Sequence, residues 1–358
     1  MRILHVLGGL NVGGIEKYLL DFIEETNKRG HGSAVFSIYE TKPGSLHNEF
    51  HKLTERVYTN HVLKQRKTFQ KTCEQIIDEF NPDIVHSHVG EMSGEALEFF
   101  YTHGKTKNIV QVHNLGAHVP WFLLPYKIYS RYKTLNYAHR VIAVSSLAYQ
   151  KFVGQSGREG LVIPVGLNTN KWRRNDEVRK RMRDELGLNE NEMMLLHVGR
   201  FHPVKNHSFM IVLAKLLKGK DIPFKMFFVG FGKLFPTIEN LVQENKISDN
   251  VMLLGERDDV SNLMMASDVL LLPSLSEGTP RVLLEANALG LPFICTKNAD
   301  ISDLFEPGCQ LNVDNPFEWV DAIIKIKQGE RSPPKSIFDF SIQNVVSQTV
   351  STYDELMG

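Results

Sequence analysis

The chain is 358 residues long, which predicts about two domains and allows a large hydrophobic core. Lysine plus arginine and aspartate plus glutamate each number 41, and this zero net charge argues against a nucleic-acid-binding protein, which normally carries a basic excess. The three cysteines, Cys73, Cys295 and Cys309, are widely spaced, which argues against a disulfide framework or a metal-ligand cluster and suggests a reducing compartment.

The first element is predicted to be a strand, Arg2–Leu7. This apolar run is too short for a signal peptide, and no stretch approaches the roughly 18 apolar residues of a membrane span, so we expect a cytoplasmic protein.

A glycine-rich loop ending at Gly13 and Gly14 precedes a predicted amphipathic helix, residues 15–28. Strand, glycine loop and helix are typical of a nucleotide-binding half. The glycines suit close backbone approach of a sugar, a phosphate or an acceptor, and a tight turn without a ligand is the alternative.

A dinucleotide site at this loop is disfavoured. The loop lacks the G-x-G-x-x-G spacing, and no acidic residue ends the second predicted strand, residues 33–38, to hold an adenosine ribose, although Glu40 lies close. We therefore expect no dinucleotide cofactor.

The next elements alternate between helix and strand, a pattern typical of a parallel sheet in an α/β protein. Three histidines, His86, His88 and His113, come at or just after predicted strand ends, where such sheets bind ligands. A lone histidine in that place is most often a hydrogen-bonded structural residue, and a ligand contact is the alternative. The predicted elements are helices at 65–80 and 94–101 and strands at 83–87, 108–112 and 140–144.

Residues 116–137 are rich in aromatic and basic side chains, among them Trp121, Tyr129 and Lys133. Apolar residues with interleaved cations suit a surface that lies on an anionic bilayer or holds a lipid-linked acceptor. They suit equally a helix packed on its own domain with its basic face in water, which is the interpretation we favour.

In the second half, Arg200 and Lys205 follow a predicted strand and lie five residues apart across a turn. They can converge on one diphosphate, the arginine as a planar fork and the lysine as a point charge, whereas two isolated surface charges are the alternative. A later predicted strand, residues 227–229, is followed by a glycine turn at Gly230, which would bring the backbone near the same crevice. The predicted elements here are helices at 176–186, 317–326 and 342–356 and strands at 193–198, 227–229 and 251–254.

A further strand, Val269–Leu272, leads into a turn and a helix. Thr279 and Pro280 predict the helix start, with the threonine hydroxyl as N-cap and the proline at the first helical position. The free N–H groups at such a start favour phosphate oxygens. Glu277 before the helix and Glu285 within it suit hydroxyl-rich ligands, so phosphate and polyol together indicate a sugar nucleotide, while two solvated charges are the alternative.

The pattern Glu-Gly-x-Pro with a second glutamate eight residues after the first, then Ala-x-x-x-Gly-x-Pro, resembles the signature of family 4 retaining glycosyltransferases, which have the GT-B fold. Arg200 and Lys205 look like the family's phosphate-binding pair, and the resemblance covers nearly the whole chain. It implies that Glu277 holds sugar hydroxyls, Glu285 holds the ribose diol, and His113 contacts the donor sugar. The other donor contacts that it implies, mainly through the backbone, are Gly13, Gly14, Gly230, Arg257, Gly278, Thr279, Pro280 and Leu283.

The expected fold is therefore α/β of the GT-B type, with two Rossmann-like domains whose parallel sheets face each other across a cleft. We expect an acceptor-side domain at 1–168, a nucleotide-sugar domain at 169–335, and a C-terminal helix at 336–358 that crosses back to the first domain. Where the family often has a Gly-Gly-x-x-Glu turn, this chain has different residues at 296–303.

The implied function is retaining, metal-independent transfer from a nucleoside-diphosphate sugar, with UDP as the expected nucleotide, to a sugar or lipid-linked acceptor. Arg200, Lys205 and the helix start would stabilise charge on the departing diphosphate, while Glu277 and His113 would position the sugar. No Asp-x-Asp pair is present to bridge a metal. Exopolysaccharide, capsule or glycolipid synthesis, with peripheral contact at the inner membrane face, is the expected context. A sugar-nucleotide epimerase of the same shape and a non-catalytic sugar-nucleotide-binding subunit stay open as alternatives.

Overall fold

The computed structural model describes residues 1–40, 42–60, 66–113, 121–154, 156–220, 222–330 and 332–358. The chain divides into two compact units, one formed by Met1–Asn168 with Asp339–Gly358 and the other by Thr169–Phe338. Each unit is built on a parallel sheet with connecting helices, so the predicted α/β class is confirmed.

The sheet of the first unit has seven strands among the described residues. They are β1 (Arg2–Leu7), β2 (Gly32–Ser37), β3 (Arg56–Thr59), β4 (Ile84–Ser87), β5 (Lys107–Val112), β6 (Arg140–Ala143) and β7 (Gly160–Val162). Their order is β3-β2-β1-β4-β5-β6-β7, and neighbouring strands are parallel. The five inner strands form because their apolar runs are buried on both faces, as is typical of parallel sheets, whereas the edge strands β3 and β7 are partly exposed. The strand order reverses between β1 and β4, which is where open α/β sheets bind ligands.

Helices cover both faces of this sheet, as parallel strand connections require. Those described are α1 (Gly14–Lys28), α2 (His47–Leu53), α3 (Arg66–Glu79), α4 (Gly94–His103), α5 (Leu124–Tyr137) and α6 (Ser146–Val153). The sequence analysis predicted α1, α3 and α4 to within a few residues. It predicted no element at the short segments α2, β3 and α6.

The second sheet has six strands within the described ranges. They are β8 (Met193–Val198), β9 (Phe224–Val229), β10 (Val251–Gly255), β11 (Val269–Leu272), β12 (Phe293–Thr296) and β13 (Gln310–Leu311). Their order is β10-β9-β8-β11-β12-β13, and all the pairings are parallel. The order reverses between β8 and β11, and the carboxyl ends of strands at such a reversal are where open α/β sheets bind ligands.

The second unit carries helices α7 (Asp176–Glu185), α8 (His207–Lys218), α9 (Phe235–Glu244), α10 (Val260–Ala266), α11 (Arg281–Ala288) and α12 (Pro316–Lys327). Trp319 of α12 is fully buried and packs edge-on against Phe209 of α8, with ring centroids 5.2 Å apart. This contact closes the hydrophobic core on one face of the sheet.

The C-terminal helix, α13 (Ile342–Met357), belongs to the first unit, which confirms the predicted return of the chain. Its apolar face, including Val345, Val346 and Tyr353, is fully buried. The Arg29 side chain, at the end of α1, donates to the Ser347 hydroxyl at 2.8 Å. The amphipathic pattern of this helix therefore reflects a face that packs on the first unit.

Among the described residues, no helix combines the length and the apolar character needed to cross a bilayer. Cys73, Cys295 and Cys309 are buried free thiols.

Candidate functional site

One of the two predicted cations, Lys205, contacts the predicted carboxylate Glu277 at the carboxyl ends of β8 and β11. Arg200 and Lys205 follow β8, and Glu277 follows β11. Lys205 Nζ donates to Glu277 Oε1 at 2.5 Å, and their side chains are only 20% and 14% exposed. Arg200 precedes Lys205 in the loop after β8, and its side chain is exposed. An ion pair of this low exposure is screened much less by solvent than a surface pair.

Gly230 lets the loops after β8, β9 and β10 pack backbone against backbone. Gly230 has a φ of +131°, a conformation that side-chain-bearing residues rarely adopt, and a Cβ there would lie 2.2 Å from the Gly199 carbonyl oxygen. The Gly230 N–H donates to the Gly255 carbonyl at 2.8 Å. The three loops that follow β8, β9 and β10 are therefore joined, and glycine is required at position 230.

Arg257, in the loop after β10, is held by carboxylates. Its Nε and Nη2 donate to the two carboxylate oxygens of Asp259, each at 2.7 Å, and Glu185 lies 3.6 Å away. These hydrogen bonds raise the pKa of Arg257, and the guanidinium in turn lowers the pKa of Asp259. The side chain is thus engaged within the protein, so a nucleotide contact here would come from the main chain.

The predicted start of α11 is wrong by one position. The helix begins at Arg281, and Pro280 is the N-cap residue, with ψ at 112°, rather than the first helical residue. The threonine hydroxyl was predicted to be the N-cap, but Thr279 lies one residue before that position. The chain stays extended through Pro280, following the segment in which Glu277 pairs with Ala299.

Residues of the divergent turn at 296–303 hold this segment in place. Glu277 pairs with Ala299 in an isolated parallel bridge, with the Glu277 N–H 3.3 Å from the Asn298 carbonyl and the Asp300 N–H 3.4 Å from the Glu277 carbonyl. The turn that departs from the family pattern therefore fixes the backbone of the signature glutamate. Gly278 lies in the bend that follows the bridge.

Glu285 is the second signature carboxylate, and it is only 6% exposed on α11. Arg281 Nε donates to Glu285 Oε1 at 2.9 Å, one helical turn away. This pairing compensates the charge of a largely buried carboxylate. Leu283 on the same helix is fully buried, and its N–H donates to the Pro280 carbonyl at 3.0 Å. Both its side chain and its amide are therefore engaged inside the unit.

In the first unit, the glycine loop leads directly into α1. Gly13 is the N-cap residue in an extended conformation and Gly14 is the first helical residue. Glu40, only 7% exposed, accepts a hydrogen bond from the Leu10 N–H at 3.3 Å. The carboxylate considered for an adenosine ribose thus holds the loop instead.

Three histidines form a hydrogen-bonded chain at the carboxyl edge of this sheet, between β1 and β5. His5 Nδ1 lies 3.2 Å from His88 Nε2, and His88 Nδ1 lies 3.1 Å from His113 Nε2. His88 and His113 line a cavity of about 250 Å³ beside Gly8 and Glu16. The structure therefore places two of the three predicted histidines together at a cavity and adds His5, which the sequence analysis missed.

Burial keeps these imidazoles neutral. It lowers the pKa of His5 to about 3 and also lowers the pKa of His113. For His88, burial is again the main cause of a pKa well below the usual value, with smaller contributions from the neighbouring histidines. Desolvation of this kind disfavours the imidazolium form. Each ring therefore presents one N–H donor and one acceptor nitrogen at neutral pH.

His86 has a different partner. Its Nδ1 lies 2.6 Å from the hydroxyl of Tyr353 on α13, and its ring lies 4.3 Å from that of His88, between centroids. This histidine joins the C-terminal helix to the sheet, so it has the hydrogen-bonded structural role that the sequence analysis took as the more common one.

The aromatic and basic stretch forms α5, while residues 116–120 lie outside the described residues. The predicted packed helix is present, but its faces are the reverse of those expected. Lys133, only 9% exposed, pairs with Glu95 and Glu98 of α4 at 2.9 and 2.5 Å, and Lys127 pairs with Glu91 at 3.2 Å. The basic side chains face inward because these carboxylates stand opposite them.

The outward face of this segment is apolar instead. Its side chains are between 48% and 84% exposed and comprise Trp121, Leu124, Ile128, Tyr129 and Tyr132. A contiguous exposed apolar surface of this kind is typical of sites that contact another protein or a membrane.

Two family models match the chain, one described as "Glycosyltransferase Family 4" over residues 12–171 and the other as "Glycosyl transferases group 1" over residues 178–336. EpsF of Bacillus subtilis (strain 168) is 28% identical over 353 residues, which make up 94% of this chain and 90% of EpsF. UDP-Gal:alpha-D-GlcNAc-diphosphoundecaprenol alpha-1,3-galactosyltransferase of Escherichia coli is 31% identical over 175 residues, 46% of this chain and 44% of that enzyme.

Among solved structures, that of HepE from Anabaena in complex with UDP-glucose matches with a TM-score of 0.79 at 19% identity, covering 99% of this chain and 100% of HepE. This similarity over the full length confirms the predicted fold.

Proposed function

The chain is a glycosyltransferase of family 4, and we propose that it transfers a sugar from a UDP-sugar to an acceptor hydroxyl with retention of configuration and without a metal ion. The observation that carries this proposal is the Lys205–Glu277 pair at the strand-order reversal of the second sheet. It brings a diphosphate-binding cation and a hydroxyl-binding carboxylate together. The two alternative functions, a sugar-nucleotide epimerase and a non-catalytic sugar-nucleotide-binding subunit, are not needed to explain these observations.

In this proposal the diphosphate is stabilised by charge alone. Arg200 and Lys205 bind its oxygens, and the N–H groups at the start of α11 add a positive potential. These groups act on the negative charge that grows as the sugar departs, which is the role that a metal ion would otherwise have. Glu277 fixes the orientation of the sugar hydroxyls through the backbone bridge to Ala299.

The remaining predicted contacts are assigned to the nucleotide and to the sugar. Glu285 accepts hydrogen bonds from the ribose hydroxyls, and the main chain near Arg257 contacts the base. The joined loops of Gly230 and Gly255 surround the diphosphate. UDP is proposed because the Escherichia coli relative is named for UDP-galactose and HepE was solved with UDP-glucose.

We assign the two units separate tasks. Residues 169–335 bind the nucleotide sugar, residues 1–168 bind the acceptor, and residues 336–358 complete the first domain. Within the first domain, Gly13, Gly14 and His113 are assigned to sugar binding.

The apolar face of α5 is proposed to contact the membrane that carries a lipid-linked acceptor, at its cytoplasmic side. Large aromatic side chains such as Trp121 favour the bilayer interface. Because Lys127 and Lys133 are paired with carboxylates, the contact would depend on apolar burial more than on lipid charge.

Vesicle sedimentation tests this membrane contact. We expect the protein to sediment with vesicles of neutral lipid, and we expect the double variant Trp121→Ser with Ile128→Ser to sediment less. Phe317→Ser with Ile337→Ser, which removes two exposed apolar side chains of the second unit, is the matched control. Equal sedimentation of both variants would exclude this surface.

The transfer itself is tested with purified protein and a panel of UDP-, GDP- and ADP-sugars. A nucleotide that binds the native state raises the melting temperature, and UDP should do so most strongly. The anomeric configuration of the product, read by NMR with the acceptor so identified, should match that of the donor. An excess of chelator should leave turnover unchanged. An inverted product would refute retention, and activity that a chelator removes and magnesium or manganese restores would refute the metal-independent mechanism.

A further inference from the structure

The residues on either side of Lys205 are tied to the loop that follows β11. On one side, the Val204 carbonyl accepts a hydrogen bond from the Leu275 N–H at 2.7 Å. On the other side, Asn206 Nδ2 donates to the Pro273 carbonyl at 3.3 Å. The backbone of Lys205 is therefore held between two attachments to the loop that its side chain faces.

Asn206 has an uncommon backbone conformation. Its φ of +53° and ψ of 46° lie in the left-handed region, and they turn the chain from a short 3₁₀ turn, Pro203–Lys205, into α8. This region costs most side-chain-bearing residues about 1–2 kcal/mol, and asparagine is one of the few that adopt it. Glycine would adopt it more easily still, so the backbone alone does not require an asparagine here.

The Asn206 side chain serves the contact between the loops and not the helix that it precedes. An asparagine at the N-cap position usually accepts a hydrogen bond from an N–H of the first helical turn. In the described structure Asn206 is the N-cap residue of α8 but makes no such bond with its side chain. Its amide instead reaches the carbonyl of Pro273 in the loop after β11.

The direction of the Lys205 side chain depends on where its backbone lies. The stem passes close to Gly199, since a Cβ built on that glycine would lie 3.3 Å from Lys205 Cδ. The ammonium group at its end contacts Glu277. With the stem packed in this way, a shift of the backbone at residues 204–206 would move the ammonium group with it.

We propose that Asn206 is a positioning residue that places the Lys205 cation for the departing diphosphate by tying the loop after β8 to the carbonyl of Pro273. This inference rests on the proposed function, in which Lys205 binds that diphosphate. Asn206 acts through Lys205 and needs no contact with the substrate. A cation that is fixed in advance requires no reorganisation as negative charge develops, and a small displacement of such a group is costly.

The first test is Asn206→Gly in the full-length protein, which permits the left-handed backbone but removes the amide. We expect kcat with the preferred UDP-sugar to fall on the order of 10-fold, with little change in KM. Asn81→Gly is the matched control, because Asn81 also has a left-handed φ, +44°, but lies in the first unit after α3. It should keep the wild-type kcat, and both variants should keep a Tm close to that of the wild type.

A double-mutant cycle separates positioning from a general structural role. If Asn206 acts through Lys205, then in the Lys205→Ala background the further change Asn206→Gly should alter kcat by less than about 2-fold. A general structural role would lower kcat by the same factor in both backgrounds. That additive result, or equal kcat for Asn206→Gly and Asn81→Gly, would overturn the inference.

Failure of the proposed function gives a different result. If Lys205→Ala transfers sugar at the wild-type rate, the proposed role of Lys205 is wrong, and the inference about Asn206 is wrong with it. If Lys205→Ala is impaired while Asn206→Gly keeps the full kcat, Lys205 retains its role and only the positioning by Asn206 is wrong.

Discussion

Lys205 Nζ lies 2.5 Å from Glu277 Oε1, so the cation assigned to the diphosphate and the carboxylate assigned to the sugar are direct partners. A diphosphate that binds Lys205 competes with Glu277 for the ammonium group, and the carboxylate is then available to sugar hydroxyls. Occupation of the two proposed subsites would therefore be linked, because a diphosphate that binds Lys205 frees the Glu277 carboxylate to accept hydrogen bonds from the sugar.

Removal of both cations should eliminate transfer. Arg200→Ala with Lys205→Ala is expected to lower kcat by at least about 10³-fold, since a single donor to a developing charge is commonly worth 10²- to 10³-fold. Steady-state kinetics with the preferred UDP-sugar measures this. Arg181→Ala with Lys215→Ala, which removes an exposed cation from α7 and one from α8, is the control and should retain full turnover. Near-normal turnover of the Arg200 and Lys205 variant would contradict the electrostatic mechanism.

Loss of the charge on Glu285 should weaken nucleotide binding. Glu285→Gln keeps the shape of the side chain but replaces a charged acceptor, so we expect the Kd for UDP to rise about 10-fold, or roughly 1.4 kcal/mol. Isothermal titration calorimetry measures the Kd. Glu318→Gln, an exposed position in the first turn of α12, should leave it unchanged. Equal affinity of the wild type and Glu285→Gln would reject the ribose role.

A methyl group at Gly230 should destabilise the second unit. The φ of +131° and the 2.2 Å approach to the Gly199 oxygen require both loops to move, at a cost of about 1–3 kcal/mol. We expect Gly230→Ala to lower the Tm by about 5 °C and to weaken UDP binding. Gly219→Ala is the control, because Gly219 has a φ of −69° and a Cβ there would make only ordinary contacts. A Tm for Gly230→Ala within a degree of the wild type would show that the loops are not tightly joined.

The buried histidines should make stability depend on pH. The pKa of His5 is about 3 in the folded protein, below the ordinary value of 6.5, so the unfolded chain binds more protons as the pH falls. The contribution of the neutral His5 to the free energy of unfolding is therefore fully present above about pH 6.5, and it is lost as the pH falls towards 3. At pH 5.5, each buried histidine with a pKa this low should reduce the free energy of unfolding by roughly 1.4 kcal/mol.

Urea unfolding at pH 7.5 and pH 5.5 measures this loss. His5→Phe should show a smaller loss than the wild type, whereas His51→Phe, at an exposed position on α2, should show the same loss. Stability that does not change between the two pH values would mean that the buried imidazoles become protonated within the folded protein.

Much of the fold could be predicted because its parallel strands are short apolar runs followed by glycine or proline. β8 and β11 were predicted to the residue for this reason. The start of α11 could not, because the pairing of Glu277 with Ala299 joins segments 22 residues apart and extends the chain into the helix start.

The side-chain contacts between different helices and strands also could not be predicted from the sequence. His5 lies opposite His86 only because β1 pairs with β4, 81 residues later, and that strand order is not visible in local patterns. The inward basic face of α5 likewise depends on carboxylates of α4 and the turn before it. What could be seen for His88 and His113 was their position after strand ends, and this was enough to select them.

The position of α13 has a consequence for the order in which the protein is made. The first unit buries Tyr353 against His86 and ties Arg29 to Ser347, so its core contains residues synthesised after the whole second unit. During translation, residues 1–168 must wait with an uncovered apolar face until residues 339–358 leave the ribosome. The second unit, which is continuous in sequence, can fold before the first unit is complete, whereas domains usually fold in N-terminal-first order.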